Sequence, residues 1–266
     1  ARLAGTLLRE KPDVVLVQGD TTTTFAVSLA AFYLQIPVGH VEAGLRTWNK
    51  SNPYPEEINR QLTTRLADFH FAPTTLARQN LLKENVRPEA IFVTGNTVID
   101  ALLMMIDPGY RFDEPALQRV DFEKHRVILL TSHRRENFGE PVRQIFTACR
   151  TLVERNPDVE LVYPVHPNPN VKNAAYEIFQ NIQRVHLIEP MEYRQFVQLM
   201  NKSFLILTDS GGVQEEAPSL GKPVLVLRET TERPEAIEAG TAKLVGTSSD
   251  RIFAEAQKLL TDRKAY

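Results

Sequence analysis

Acidic side chains stand at three sites in the first half of the chain where proton-transfer chemistry could be performed. Asp20 follows the first apolar segment of the sequence, and Glu42 follows the second. In open α/β sheets, ligands bind at the carboxyl ends of parallel strands, so both positions favour a functional role. Glu56 and Glu57 follow a proline-rich turn at a predicted helix start. Several carboxylates at one edge of one domain can move protons on both faces of a substrate.

Each of these carboxylates also has a purely structural interpretation. Asp20 could cap the helix that follows it. Arg46 could neutralise Glu42, because a buried carboxylate needs a partner. Glu56 and Glu57 are favoured at a helix start by the helix dipole alone. Taken singly, none of the three sites identifies a function.

The second half of the chain supplies groups of the opposite charge. Three potentially cationic side chains follow the predicted strand 127–131, namely His133, Arg134 and Arg135. A solvated surface run is the alternative interpretation of these three residues. His166 stands at an equivalent strand end. His70 and His186 lie inside apolar strands, so we interpret them as packing residues.

The segment 205–221, LILTDSGGVQEEAPSLG, combines a strand, a tight turn and the start of a short helix. Gly211 and Gly212 allow a close backbone approach, and free N–H groups at a helix start can hold a phosphate. Glu216 could accept hydrogen bonds from a vicinal diol such as a ribose. Arg233 precedes a proline at the start of another predicted helix, and this combination favours nucleotide binding.

Short apolar strands alternate with amphipathic helices along the whole chain. The predicted strands are 14–17, 37–41, 69–72, 91–94, 127–131, 159–163, 185–188, 204–207, 223–227 and 242–245. This alternation predicts an α/β fold with parallel sheets and right-handed crossovers. We expect the strand 14–17 to be buried. On the predicted helix 141–154, Cys149 shares the apolar face, so we interpret it as a core residue rather than a nucleophile.

The alternation breaks at 107–125, a polar segment with two prolines that predicts a linker. The expected organisation is therefore an N-terminal domain at 1–106, a linker at 107–125 and a C-terminal domain at 126–266. The first domain would act on the substrate and the second would bind the nucleotide.

Composition excludes several classes of function. Lys plus Arg (31) nearly balances Asp plus Glu (33), so no single-sign field is available for nucleic acid or an anionic membrane. No apolar run approaches the roughly 20 residues that span a bilayer. The single cysteine fits a reducing compartment and therefore a cytoplasmic protein. The sequence has no Walker A loop, GxGxxG fingerprint or Cys/His metal spacing, so neither a metal nor a dinucleotide cofactor is expected.

Eight sequence segments, in order, resemble the signature run of bacterial non-hydrolysing UDP-N-acetylglucosamine 2-epimerases. They are QGDTTTT, GHVEAGLRT, PYPEEINRQ, FVTGNTVID, TSHRRENFGEP, YPVHPNPNV, LTDSGGVQEEAPSLGKPVLVLR and TTERPEAIEAGT. The resemblance implies two Rossmann-like domains in a GT-B-like arrangement, with the active site in the interdomain cleft. It also implies interconversion of UDP-N-acetylglucosamine and UDP-N-acetylmannosamine without a cofactor, by a protein that is usually a homodimer.

The resemblance assigns roles residue by residue. Asp20, Glu42 and Glu56 match the active-site carboxylates, and His133 matches the histidine at the diphosphate. The implied nucleotide-binding residues are Ser210, Gly211 and Gly212 at the phosphate, Glu216 at the ribose, Arg233 at the diphosphate, Phe196 beside the uracil, and Met191, where relatives often carry another residue. A second UDP-N-acetylglucosamine site, acting as an activator, would include Arg134 and His166, with Glu56 or Glu57 nearby.

Two departures from the family pattern accompany the resemblance. The family opens with a strand and a G-T-R-P-E turn and ends with helices that cross back onto the first domain, and neither is found in this sequence. The first domain is therefore expected to be incomplete. A hydrolysing epimerase, a GT-B glycosyltransferase and a UDP-sugar-binding module without activity are the alternative functions.

Overall fold

The computed structural model describes residues 2–231 and 234–266. The chain forms two compact units, Ala1–Thr97 and Val98–Tyr266. Each unit contains one parallel sheet, and this confirms the predicted α/β fold with two parallel sheets. Among the described residues, no helix is long and apolar enough to cross a membrane.

The first unit is a four-stranded sheet whose strands are neighbours in chain order. The strands are β1 (Val15–Gln18), β2 (Val38–Val41), β3 (Phe69–Ala72) and β4 (Ile91–Val93). The helices are α1 (Arg2–Glu10), α2 (Thr22–Tyr33), α3 (Glu56–Leu66) and α4 (Thr75–Lys83). The register places His40 of β2 opposite His70 of β3. All four strands therefore present their carboxyl ends at the same edge of the sheet.

The strand β1 is buried on one face only, which differs from the expectation of a buried strand. Val17 packs with Leu7 of α1, Ala31 of α2 and Val38 of β2. Leu16, on the opposite face, is 64% exposed. The reason is that α1 and α2 cover only one side, and that β1 has a single neighbour, β2, within the described part of the sheet.

The second unit is a six-stranded parallel sheet in the order β10-β9-β8-β5-β6-β7. Its strands are β5 (Arg126–Thr131), β6 (Val159–Pro164), β7 (Val185–Ile188), β8 (Leu205–Thr208), β9 (Val224–Val226) and β10 (Ala242–Leu244). Its helices are α5 (Thr97–Met105), α6 (Glu140–Arg155), α7 (Pro169–Ile178), α8 (Tyr193–Lys202), α9 (Val213–Ser219), α10 (Pro234–Glu238) and α11 (Ser249–Thr261). This is the Rossmann strand order, in which all strands are parallel and the order of strand addition reverses between β5 and β8.

Alternate residues of β5 feed two separate cores of the second unit. Ile128 and Leu130 pack with α6, α7 and α11, whereas Val127 and Leu129 pack with α8 and α9. Successive strand residues point to opposite faces, so both faces of the sheet are covered by helices. The apolar face predicted for α6 is confirmed, and Cys149 on that face is fully buried. Burial raises the pKa of the Cys149 thiol to about 12, so the thiol is inert in the folded protein.

The segment 107–125 packs onto the second unit, a position that differs from that of a free linker. Phe112, Leu117 and Val120 are buried in the same core as Leu129 of β5. Phe112 also stacks on Phe122, and the ammonium of Lys202 lies over both rings. Apolar side chains spaced among the polar ones supply this contact surface, and the boundary between the units falls instead at Thr97 and Val98.

Candidate active site

Asp20 lies directly beyond β1 and is held by two residues of α3. Its carboxylate Oδ2 accepts hydrogen bonds from Arg60 Nε at 3.0 Å and Arg60 Nη2 at 2.7 Å. Its backbone carbonyl accepts from Asn59 Nδ2 at 3.0 Å. The N-cap of α2 is Thr21, whose hydroxyl accepts from the Thr24 N–H. Asp20 is therefore not the cap of α2, and that structural interpretation is removed.

Glu42 lies beyond β2 in a strained backbone conformation beside Asp20. Its φ of 67° falls in the left-handed region, which non-glycine residues rarely occupy outside functional sites and tight turns. The space where a Cβ of Gly19 would stand is 3.5 Å from Glu42 Oε2, so the Glu42 carboxylate lies over the turn that carries Asp20. Arg46 bonds instead to Glu84, the Leu45 carbonyl and Thr64, so it is not the partner considered for Glu42.

Two buried histidines stand behind this edge of the first sheet. His40 Nε2 lies 2.8 Å from the Gly19 carbonyl oxygen, and it donates to that oxygen because a carbonyl can only accept. Burial lowers the pKa of His40 to about 4, and burial lowers the pKa of His70 to about 4 as well. Both imidazoles are therefore neutral near pH 7. The interpretation of His70 as a packing residue agrees with this burial, whereas His186 bonds to Glu160.

Glu56 and Glu57 open α3 but have different surroundings. Glu56 is half-buried at the first helical position. Glu57 is fully buried, and its oxygens accept from the Thr47 N–H (3.1 Å), the Trp48 N–H (3.0 Å), Arg60 Nη1 (3.1 Å) and Gln61 Nε2 (3.2 Å). A carboxylate with four protein donors and no exposed surface is not available to a ligand. The prediction that Glu57 belongs to a second ligand site therefore disagrees with its position.

His133 lies beyond β5 and is oriented by Asp209, which lies beyond the neighbouring strand β8. The His133 Nδ1 atom is 3.1 Å from Asp209 Oδ1. Asp209 is fully buried and also accepts from the backbone N–H groups of His133 and Arg134 and from the Ser132 and Asn137 side chains. Burial raises the pKa of Asp209, but the bond and charge of His133 and the backbone donors outweigh burial, so the pKa is lowered. Because Nδ1 is engaged, Nε2 of the exposed imidazole is left for a ligand.

The glycine turn continues from Asp209 into α9. Gly212 has a φ of −64°, and a Cβ there would meet Glu216 Oε2 at 3.6 Å, an ordinary contact. Neither the backbone angle nor internal packing therefore requires glycine at this position. The close approach of a ligand to the backbone would require it. Ser210 precedes the turn, and its N–H donates to Thr208 Oγ1 at 3.0 Å. Gly211 is buried within it.

Glu216 is buried behind the glycine turn, and its Oε1 accepts from the Tyr193 hydroxyl at 2.7 Å. Burial raises the pKa of Glu216, while the Tyr193 bond lowers it in part. Phe196 and Met191 are partly buried against the core beneath α8, so part of each side chain stays accessible. Tyr193 thus joins Glu216 to the helix that carries Phe196.

The remaining predicted positions are His166, Arg134 and Arg233. His166 stacks on His133 with ring centroids 6.1 Å apart, and Arg134 follows His133 with its N–H on Asp209. These two residues are therefore close to the candidate diphosphate site. Arg233 lies outside the described residues. The described part of the chain contains no cluster of His, Cys, Asp or Glu arranged to hold a metal ion.

Sequence reasoning missed the residues that hold the candidate groups in place. Asp209, Arg60 and Tyr193 each bond directly to a predicted site residue. For Asp209 a signal was present, since it is the residue between the end of β8 and the glycine turn. For Arg60 and Tyr193 no local signal existed, because their partners lie 40 and 23 residues away in sequence.

Comparisons with known proteins identify the family of this chain. The family model described as UDP-N-acetylglucosamine 2-epimerase matches residues 1–266. The chain is similar to the UDP-N-acetylglucosamine 2-epimerase of Bacillus subtilis (strain 168), with 61% identity over 256 residues, 96% of this chain and 66% of that protein. It is also similar to the S. aureus MnaA–UDP co-structure, with a TM-score of 0.95 and 50% identity over 100% of this chain and 72% of that chain.

A third relative was solved with a sugar nucleotide. The UDP-GlcNAc 2-epimerase from Neisseria meningitidis, bound to UDP-GlcNAc, matches with a TM-score of 0.92 and 51% identity over 100% of this chain and 72% of that chain. The chain spans about two thirds of the length of the Bacillus subtilis relative. A family model that matches from the first residue to the last, together with relatives at this identity, shows that the chain belongs to the UDP-N-acetylglucosamine 2-epimerase family.

Proposed function

We propose that the protein interconverts UDP-N-acetylglucosamine and UDP-N-acetylmannosamine without releasing the free sugar. The observation that carries this proposal is the pair His133–Asp209 beside the glycine turn of the second unit. A buried, ionised carboxylate that orients an exposed imidazole gives a fixed cationic or proton-donating group. Such a group is what a departing pyrophosphate requires.

The chemistry at C2 of the sugar explains why the leaving group matters. The C2 hydrogen is not next to a carbonyl, so direct abstraction by a base would be very slow. If the C1–O bond to UDP breaks first or concurrently, positive charge develops at C1 and the C2 proton becomes acidic. Loss of that proton gives 2-acetamidoglucal and UDP, and re-addition with the proton delivered to the other face inverts C2.

Carboxylates of the first unit fit the sugar half of this reaction. Asp20 lies beyond β1, the Glu42 carboxylate lies over Gly19 in the turn that precedes Asp20, and Glu56 opens the helix that anchors Asp20. Negative side chains stabilise the developing oxocarbenium charge and carry protons to and from C2. In this proposal all three act on the hexose, and the same three carboxylates serve both directions of the reaction.

Groups of the second unit fit the nucleotide half. His133 neutralises the diphosphate, and Ser210, Gly211 and Gly212 let the backbone approach a phosphate closely. Glu216 accepts hydrogen bonds from the ribose hydroxyls, and Phe196 and Met191 border the base. Arg233 adds a second cation at the diphosphate, as the family resemblance implies.

Two further features are proposed on the same resemblance. Arg134 and His166, which lie close to His133, contribute to a second UDP-N-acetylglucosamine site that activates the enzyme. The protein acts as a homodimer in the cytoplasm, where its single buried cysteine stays reduced. Sedimentation velocity tests the dimer, and a sigmoidal dependence of the reverse reaction on UDP-N-acetylglucosamine tests the second site.

Incubation with UDP-N-acetylglucosamine in D₂O, with C2 followed by NMR, tests the main proposal. We expect deuterium at C2 and accumulation of UDP-N-acetylmannosamine. Because the chain spans 66% of the Bacillus subtilis relative, the assay is run in parallel on a chimera that takes its other residues from that relative. Release of free N-acetylmannosamine would favour a hydrolysing epimerase. Absence of C2 deuterium from both proteins would favour a glycosyltransferase or a binding module.

A further inference from the structure

Arg60 is buried between two carboxylates of the first unit. Its Nε and Nη2 atoms donate to Asp20 Oδ2, and its Nη1 atom donates to Glu57 Oε2. The side chain of Arg60 is 6% exposed and that of Glu57 is 0% exposed, whereas that of Asp20 is 29% exposed. The two inner groups are therefore shielded from solvent, and only the outermost of the three can meet a substrate.

The contact with Asp20 is selective for one carboxylate oxygen. Within the described part of the chain, both Arg60 donors reach Oδ2 and none reaches Oδ1. Because guanidinium is a rigid planar fork, two donors on one oxygen fix both the position and the rotation of the carboxylate. Oδ1 of Asp20 is therefore not engaged by Arg60.

Glu57, the buried partner of Arg60, also holds a loop in place. Glu57 accepts from the N–H groups of Thr47 and Trp48, and Trp48 has a positive φ of 62°. These two bonds hold the turn of the segment that leads from Glu42 to Glu56. One buried carboxylate thus connects the loop to Arg60, and Arg60 connects it to Asp20.

We propose that Arg60 and Glu57 are positioning residues for the epimerisation. Arg60 sets the orientation of the Asp20 carboxylate, and Glu57 holds Arg60 together with the loop between Glu42 and Glu56. Neither residue contacts the sugar nucleotide. The inference rests on the proposed function, since it assigns Asp20, Glu42 and Glu56 to the reacting sugar, and it replaces a ligand-binding role for Glu57.

Substitution of Arg60 separates positioning from substrate binding. Arg60→Met should lower kcat for C2 exchange roughly 100-fold, because a misplacement of about 1 Å is worth this much. The KM for UDP-N-acetylglucosamine should change by less than about twofold, since Arg60 does not touch the substrate. Arg60→Lys keeps the charge without the fork and should recover part of the rate, giving a loss of roughly tenfold. Glu57→Gln should also lower kcat rather than raise KM.

Two controls keep the test decisive. Arg126→Met removes a bidentate ion pair with Asp158. Arg126 lies at the amino end of β5, away from the end that carries His133, so this variant should lower stability without changing kcat. Exchange by the unsubstituted chain or its chimera decides the proposed function by itself. Crystal structures of Arg60→Met and Arg60→Lys then report on positioning whether or not turnover is seen. An Asp20 carboxylate that stays in place in Arg60→Met, or an unchanged kcat in that variant, overturns the inference.

Discussion

His133 is oriented by Asp209, a residue that is fully buried. Asp209 accepts hydrogen bonds from the backbone and side chains of the loop after β5, and it directly follows the neighbouring strand β8. The switch point between these two strands is where Rossmann sheets bind ligands. One buried carboxylate therefore connects the histidine loop to the glycine turn, and a change at Asp209 should be felt by both.

Asp209→Asn should reduce C2 exchange roughly tenfold to 100-fold, as expected when the group orienting a functional histidine is lost. The amide would also turn a donor toward neighbouring N–H groups, so the free energy of unfolding should fall by about 1–3 kcal/mol. Exchange kinetics and urea denaturation measure the two effects. Ser132→Ala, which removes only the 3.2 Å hydroxyl donor to Asp209, is the control. Full exchange by a folded Asp209→Asn variant would show that His133 needs no such orientation.

Glu216→Ala should weaken UDP binding roughly tenfold to 100-fold, because hydrogen bonds to a charged group are worth about 1.5–3 kcal/mol. Tyr193→Phe is the matched variant, since it removes only the 2.7 Å hydroxyl contact with Glu216. It should change UDP affinity by less than about fivefold if the ribose contacts Glu216 itself. Isothermal titration calorimetry on both variants separates the two contributions. Equal losses would mean that Tyr193, and not Glu216, carries the contact.

At the scale of elements, β2 and β3 bring two buried histidines into register, His40 opposite His70. Both have pKa values lowered by burial from 6.5 to about 4. Between pH 6.5 and about pH 4, these two histidines therefore bind protons in the unfolded chain but not in the folded chain. Their contribution to stability is present above pH 6.5 and is lost as the pH falls toward 4.

The first unit should accordingly lose stability between pH 6.5 and pH 4. Each pKa unit corresponds to about 1.4 kcal/mol, so the loss should approach roughly 3 kcal/mol for each histidine. Urea denaturation followed by the fluorescence of Trp48, the single tryptophan, measures it. His70→Gln should remove about half of the pH dependence, whereas His166→Gln in the second unit should leave it unchanged. A pH-independent transition for the unsubstituted chain would contradict the prediction.

Element positions were predictable because their signals are local. The alternation of apolar strands and helices predicted both parallel sheets, and helix periodicity predicted the buried face of α6. Two errors had a common origin. The exposure of Leu16 and the packing of Phe112 depend on which elements lie alongside, and a residue's own sequence neighbours do not report this.

The candidate site shows the same division between local and distant information. Asp20, Glu42, His133 and Glu216 could be proposed from the sequence because each stands just after a strand or a glycine turn. Their partners Arg60 and Tyr193 were not, because hydrogen bonds that span 40 and 23 residues leave no local pattern. The burial of Glu57 was not predictable for a related reason, since it is decided by the loop folded over this residue.

For the whole molecule, two natural probes report separately on the two units. Trp48 is the single tryptophan and lies in the first unit, whereas Cys149 is the single cysteine and lies in the core of the second. Because the thiol is fully buried and its pKa is raised to about 12, it reacts only when the second unit opens. Thiol labelling and tryptophan fluorescence therefore follow different parts of the chain.

UDP should slow the labelling of Cys149 far more than it shifts the Trp48 transition. If the glycine turn, Glu216 and His133 hold the nucleotide, binding stabilises the second unit by the mass-action term, about 2.7 kcal/mol at 100 times Kd. When closing is faster than labelling, the labelling rate should fall by the same factor of about 100. Glu216→Ala should abolish this protection at the same UDP concentration, whereas Asp20→Asn should preserve it. If UDP stabilised the unfolding transition followed by Trp48 as much as it slowed Cys149 labelling, residues of the first unit would also hold the nucleotide. The assignment of UDP to the second unit would then have to be abandoned.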